Sequence, residues 1–349
     1  MFLRNLWYFA APGESVRPGS MRHKTLLGEP ILIGRTHQGE VFAIRDVCPH
    51  RGMLLSAGKL LKSHNGQASE VECPYHGWRY RTDGACSHIP SLVDGQEFEL
   101  ERIRVRCYPC REQQHNIWVY MPADERVIEQ PSEDPPVIPE IGDRRPAFRE
   151  SEVFHCEIDH AIVGLMDPAH GPFVHGIWWW RPKFSIHEKE KAFSPSHLGF
   201  TMRAHEPSRN SFLYRILGRD VSTEIRFQLP GVRIEHVRAA RASVIGLTTV
   251  VAIDDTKTEV TQTFYWTQPL FNVVKPIFRT MVRAFLRQDR DIVDLQQKAL
   301  PHMKKQILID DADTPAKWYY RLKENWTTSV DTGEPFVNPV TDAVLRWRS

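Results

Sequence analysis

The chain has 349 residues, too many for one small metal-binding module and enough for about two domains. With 41% hydrophobic and 25% charged residues it has the make-up of a globular protein, and a net charge of +2 without a Lys/Arg stripe argues against a dedicated nucleic-acid binder. No run of about 18 uninterrupted apolar residues marks a membrane span, and Met1 to Ala11, interrupted by Arg4 and Asn5, leads into no signal-peptide architecture, so a cytoplasmic protein is expected.

In chain order, residues 1–24 form an N-terminal segment whose Leu6-Trp7-Tyr8-Phe9 cluster is expected to pack as a short element. Pro30 to Gly34 and Val41 to Ile44 read as short β segments around the polar turn Thr36-His37-Gln38-Gly39. Trp78 to Arg81, Ile103 to Tyr108 and Ile117 to Tyr120 read as further strands, with Thr82-Asp83-Gly84 as a turn, giving a small all-β domain over residues 25–122. Six prolines between 121 and 147 exclude a helix or central strand there, so residues 123–150 are read as a linker. A second domain, 151–349, shows a helix near 160–170, strands between 190 and 270 (Ala242 to Ile253 as a buried one) and a long helix near 276–308.

Chemistry is concentrated in Cys48-Pro49-His50-Arg51-Gly52 and, with 22 residues intervening after His50, Cys73-Pro74-Tyr75-His76-Gly77-Trp78. Each motif offers one thiolate and one imidazole on a tight Pro/Gly loop. Zinc sites more often pair Cys with Cys and His with His. A Rieske [2Fe–2S] cluster takes two Cys on one iron and two His on the other, so the unlike pairing matches one ligand per iron from each loop. A zinc site is the alternative. Cys107-x2-Cys110 lies in an alternating strand-like stretch, without a second Cys pair or a βαβ context, and is read as ordinary strand.

A second candidate site is Asp167-Pro168-Ala169-His170-Gly171-Pro172-Phe173-Val174-His175. On one unbroken helix His170 and His175 would stand about 140° apart, and Gly171-Pro172 is expected to break the helix between them. Asp167 and His170, three apart, share a face. Two His and a carboxylate make the facial triad of non-heme Fe(II) oxygenases, which leaves positions open for oxygen.

Together these motifs resemble the Rieske non-heme iron oxygenases, specifically the α subunits of the ring-hydroxylating family, over nearly the whole chain. Respiratory Rieske proteins carry an extra Cys in each loop; Arg51, Gly52 and Tyr75 stand here instead. The resemblance implies an α+β protein: an all-β Rieske domain plus a helix-grip (START-like) catalytic domain with an antiparallel sheet folded over a long C-terminal helix. It implies Cys48, His50, Cys73 and His76 as cluster ligands, His170 and His175 as iron ligands, and Asp167 as a bridge from His170 to a cluster His of the neighbouring subunit. The family often places an acidic residue and Asn where Val163-Gly164 stand, and Asp159 is the substitute considered for them.

The third iron ligand of the family is an Asp in the long helix, where Asp289, Asp291 and Asp294 compete. The apolar stripe Phe278, Met281, Val282, Phe285, Ile292 and Val293 includes position 289 and excludes 291 and 294, which lie about 200° and 140° from it. An Asp in such a stripe requires a partner or a metal, which favours Asp289 over the alternative of a salt bridge to an Arg.

The implied cofactors are a [2Fe–2S] cluster, Fe(II) and O₂ as co-substrate, with electrons from NAD(P)H through a separate reductase, with or without a ferredoxin, since no nicotinamide or flavin motif is present. The implied assembly is a homotrimer. The implied activity is hydroxylation or oxidative demethylation of a hydrophobic, aromatic or polycyclic substrate. The length resembles the α-only members, and Asp159-His160 ahead of Asp167 to His170 resembles the branch containing pheophorbide a oxygenase, without that branch's C-terminal Cys-x2-Cys. Trp178-Trp179-Trp180 is expected in the core or an interface rather than in the substrate pocket. The competing reading is a Rieske electron-transfer protein without catalytic iron.

Overall fold

A computed structural model describes residues 2–62, 69–124, 131, 133–175, 186–207 and 220–349. The chain divides into two compact units, Arg4–Val137 and, together with Met1–Leu3, Ile138–Ser349.

The first unit is built from three small antiparallel sheets. Strands β1 (Leu6–Pro12), β10 (Cys110–Gln113) and β11 (Asn116–Met121) form one, in the order β1-β11-β10. The apolar Leu6-Trp7-Tyr8-Phe9 cluster therefore belongs to a sheet of this unit, with Trp7 opposite Tyr120 and Phe9 opposite Trp118, rather than to a separate leading segment. Strands β2 (Ser20–Leu26), β3 (Glu29–Arg35), β4 (Val41–Arg45) and β9 (Cys107–Tyr108) form the second sheet. The third contains β5 (Lys59–Leu61), β6 (Glu70–Glu72), β7 (Arg79–Arg81) and β8 (Cys86–His88). Leu32, Ile44, Leu55, Val71, Tyr80 and Val105 meet in a core that also takes in Cys48 and Cys73, so both metal-loop cysteines are anchored by packing.

The second unit has one eight-stranded antiparallel sheet. Its strands are β12 (Phe148–Phe154), β13 (Glu188–Ser196), β14 (Gly199–His205), β15 (Ser222–Gln228), β16 (Val232–Ala239), β17 (Ala242–Asp254), β18 (Lys257–Trp266) and β19 (Ala343–Arg348). They are ordered β12-β18-β17-β16-β15-β14-β13-β19. Among the described residues its helices are α1 (Ile158–Met166), the one-turn α2 (Gly171–Val174), the long α3 (Phe271–Ala299) and α4 (Thr314–Thr332).

Ion pairs set the register of α3 along β12. Arg279 and Arg283 hold Glu150, Arg287 and Arg290 hold Glu152, and Asp294 Oδ1 accepts the His155 backbone N–H at 2.9 Å. Met281, Val282, Leu286 and Val293 are buried. Ile292, expected in the buried stripe, is 48% exposed, and Leu286 takes the buried place.

Candidate metal centres

The two loops of the first unit share one backbone plan. Gly52 N–H donates to the Cys48 carbonyl (2.8 Å) and Gly77 N–H to the Cys73 carbonyl (3.1 Å). Each loop closes with the Cys N–H bonded to a carbonyl five residues on, Met53 or Trp78, both at 2.8 Å. The glycines have φ of 72° and 71°, a region where a Cβ is strained, which explains Gly four residues after each Cys. The first loop is further pinned by the buried carboxylate of Asp46, which accepts Ser56 N–H (2.7 Å) and Ser56 Oγ–H (2.6 Å) and faces His23 Nδ1 at 2.7 Å.

Cys48 and Cys73 are almost fully buried and their thiols adjoin. Burial, and then the neighbouring Cys48 thiol, push the Cys73 thiol above its ordinary pKa. The imidazoles of His50 and His76 lie at the half-exposed side, ring centroids 4.6 Å apart. Two side chains missed in the sequence complete the surroundings. The Trp78 ring stacks on His50 at 4.5 Å and 4°, and the buried Tyr80 hydroxyl lies 3.3 Å from Cys48 Sγ. A buried thiol pair beside an imidazole pair is the donor set a [2Fe–2S] group requires. Among the described residues Cys107 and Cys110 join no metal-ligating group.

In the second unit Pro168 forces Asp167 out of helical conformation (φ −64°, ψ 116°) and ends α1. His170 then caps α2, with Pro172 in its first turn, where a missing N–H costs little. The helix break expected between the two histidines thus lies before the first of them. His170 and His175 stand at opposite ends of one short turn, outside regular helix geometry, and their rings meet.

The resulting triangle has His170 Nε2 3.2 Å from His175 Nε2, His175 Nε2 3.1 Å from Asp289 Oδ1, and His170 Nε2 3.8 Å from the same oxygen. Atoms at right angles around a first-row metal at about 2.1 Å are roughly 3 Å apart, so the donor set fits one ion. Among the described residues it is the one group of three or more His, Cys, Asp or Glu side chains with ligand atoms this close. Asp291 pairs with Arg290 and Asp294 with His155, which leaves Asp289 to face the histidines.

Both rings are oriented through their other nitrogen. His170 Nδ1–H donates to the Asp167 carbonyl (2.8 Å), with Asp167 Oδ2 at 3.6 Å, and His175 Nδ1–H donates to Gln288 Oε1 (3.1 Å). Each Nε2 lone pair is thereby aimed at the triangle. In the sequence Gln288 is only the neighbour of Asp289; its role needed the fold. Burial disfavours the charged form of His170, but the Asp167 hydrogen bond and the charges of Asp289 and Asp167 outweigh it and raise its pKa. Burial likewise opposes ionisation of Asp167, while bonds from His170 and the Ala169 N–H lower its pKa overall. Asp159 is engaged elsewhere, accepting Tyr319 Oη–H (2.6 Å) and Lys323 Nζ (2.6 Å). Trp178, Trp179 and Trp180 lie outside the described residues.

His170 and Asp289 also line a cavity of about 550 Å³, within the ordinary range for small-molecule sites. Its walls come from α1, α3, β18 and residues 306–316.

Residues 6–109 match the Rieske [2Fe-2S] domain family. The chain is 32% identical over 204 residues to chlorophyllide a oxygenase of Chlamydomonas reinhardtii, covering 55% of this chain and 28% of that protein. It is 33% identical over 178 residues to the oxygenase component of dicamba O-demethylase of Stenotrophomonas maltophilia, covering 50% of this chain and 48% of the other. Each match thus spans less than half of the relative's length. A crystal structure of dicamba monooxygenase bound to 3,6-dichlorosalicylic acid superposes with a TM-score of 0.72 at 21% identity, over 94% of this chain and 98% of that one. Residues 6–109 are therefore a Rieske [2Fe-2S] domain. The fold of the chain is that of the Rieske non-heme iron oxygenase α subunits.

Proposed function

We propose that this chain is the terminal oxygenase component of a Rieske-type mono- or dioxygenase system, which inserts oxygen from O₂ into a hydrophobic, aromatic or polycyclic substrate by hydroxylation or oxidative demethylation. The observation that carries this reading is the His170–His175–Asp289 triangle opening into a substrate-sized cavity, in a chain that also has a Rieske domain.

In this reading Cys48, His50, Cys73 and His76 hold the cluster, and His170, His175 and Asp289 hold Fe(II). When bound, the cluster supplies single electrons and the iron activates O₂. Asp167 and Gln288 fix the two ring tautomers so that both Nε2 atoms stay ligands, and the apolar cavity wall excludes water. Asp167 also carries the bridge to a cluster histidine of a neighbouring subunit in a homotrimer. The electrons come from NAD(P)H through a separate reductase, with or without a ferredoxin, in the cytoplasm, and aromatic hydrocarbon breakdown is the proposed setting. Among the described residues no helix is long and apolar enough to cross a membrane.

The deciding experiment is iron and acid-labile sulfide content with a visible spectrum of anaerobically purified protein. Three irons and two sulfides per chain are expected. Two irons and two sulfides would favour an electron carrier, and zinc in a colourless protein would overturn both metal assignments.

A further inference from the structure

The cavity beside the triangle has a direction. Helices α1 and α3 run antiparallel along it. His170, just past α1, meets Asp289, and one turn away Gly164 faces Val293, where a methyl placed on Gly164 would lie 3.8 Å from Val293 Cγ2. A further turn along α1 brings His160, seven residues before Asp167 and so about 10 Å from the metal end. Gln296, seven residues beyond Asp289 on α3, lies at the same distance in the same direction.

The walls differ along this length. The middle is apolar, with Val163, Leu165, Ile292 and Val293 around the Gly164 gap. At the far end stands the half-buried His160 side chain, which has no hydrogen bond to the described residues. The charged side chains lining the cavity, among the described residues, are the carboxylates Asp167, Asp289 and Asp313. Among the described residues no Lys or Arg lines the cavity, so an anionic group entering it away from the metal end would lose its hydration with no cationic side chain to replace it.

From this we infer that the substrate is a neutral, elongated, largely apolar ring compound with a hydroxyl or carbonyl group about 10 Å from the position that is oxidised, and that His160 reads that distal group by a hydrogen bond. The inference rests on the oxygenase reading for its metal end. Gly164 is its companion specificity residue, because a Cβ there would already touch Val293, so any larger side chain has to turn into the cavity.

Three probes on one ring system test it: pyrene, 1-pyrenemethanol and 1-pyrenecarboxylate, titrated into the holoprotein and again after chelation of the mononuclear iron, with pyrene emission as readout. The alcohol is expected to bind more tightly than pyrene and at least about tenfold more tightly than the carboxylate. His160→Ala should weaken the alcohol about five- to tenfold and leave pyrene unchanged, and His160→Gln should recover most of the loss. Gly164→Leu, tolerated by helix propensity, should abolish binding of all three while leaving the cluster spectrum intact, which locates the probes in this cavity. A carboxylate bound as tightly as the alcohol, equal losses for pyrene and alcohol in His160→Ala, or unchanged binding in Gly164→Leu would overturn it. Iron content decides the oxygenase reading independently, because the affinity order is read with and without that iron.

Discussion

The Tyr80 hydroxyl and Cys48 Sγ, 32 residues apart in sequence, lie 3.3 Å from one another in the buried core under the metal loops. Burial, then the contact with Cys48, drives the phenol's pKa far upward, so it remains a neutral donor facing sulfur. A hydrogen bond to a ligating sulfur stabilises the reduced, more electron-rich form of a cluster. Replacing Tyr80 with Phe should lower the cluster reduction potential by about 40 mV, the one-electron equivalent of roughly 1 kcal/mol. A redox titration followed by visible absorption measures this; an unchanged potential would show that the bond has no electronic role.

Gln288 accepts from His175 Nδ1–H and touches no ligand position itself. Gln288→Leu should weaken retention of the mononuclear iron about 10- to 100-fold against a competing chelator, while the cluster spectrum stays as it was. Equal iron retention in the two proteins would assign the orientation of His175 to its edge contact with Phe285, 4.8 Å away, instead.

Proton and metal compete for His170 Nε2. Because that imidazole has a raised pKa, it stays protonated to a higher pH than an ordinary histidine, and iron loading should fall off on acidification from a correspondingly higher pH. Removing the Asp167 charge lowers the pKa again, so Asp167→Asn should shift the loading midpoint to lower pH while both metals remain bound at neutral pH. Turnover should slow in the same variant. Iron-loading curves that coincide would exclude Asp167 as the group that sets the His170 proton affinity.

Gly52 and Gly77 hold the left-handed turns that let each Cys carbonyl accept a bond four residues on. Alanine at either position should cost about 1–2 kcal/mol and reduce cluster occupancy, whereas Gly164→Ala, in a helix with negative φ, should not. Thermal unfolding with sulfide analysis compares the three. Full cluster content in Gly52→Ala would mean that the loop reaches its shape without that turn.

What the sequence by itself determined is what neighbouring residues accomplish together. Cys48 with His50, Cys73 with His76, and His170 with His175 come from single short loops, so their spacing and their Pro and Gly neighbours already describe the local geometry. Short apolar or alternating runs likewise revealed β3, β4, β7, β9, β11 and β17, and placed further strands only as a region between 190 and 270. The apolar stripe of the long helix singled out Asp289 but misjudged Ile292, because periodicity assigns a face without saying how wide the covering partner is. Only tertiary structure decided the rest. The pairings of Glu150 and Glu152 with arginines 129–138 residues away register α3 and spend the competing charges, and no local pattern encodes pairs at that separation. The same holds for Tyr80 on Cys48, Gln288 on His175 and the line from His170 past Gly164 to His160: each depends on which surfaces the packed core brings face to face, a property of the whole chain.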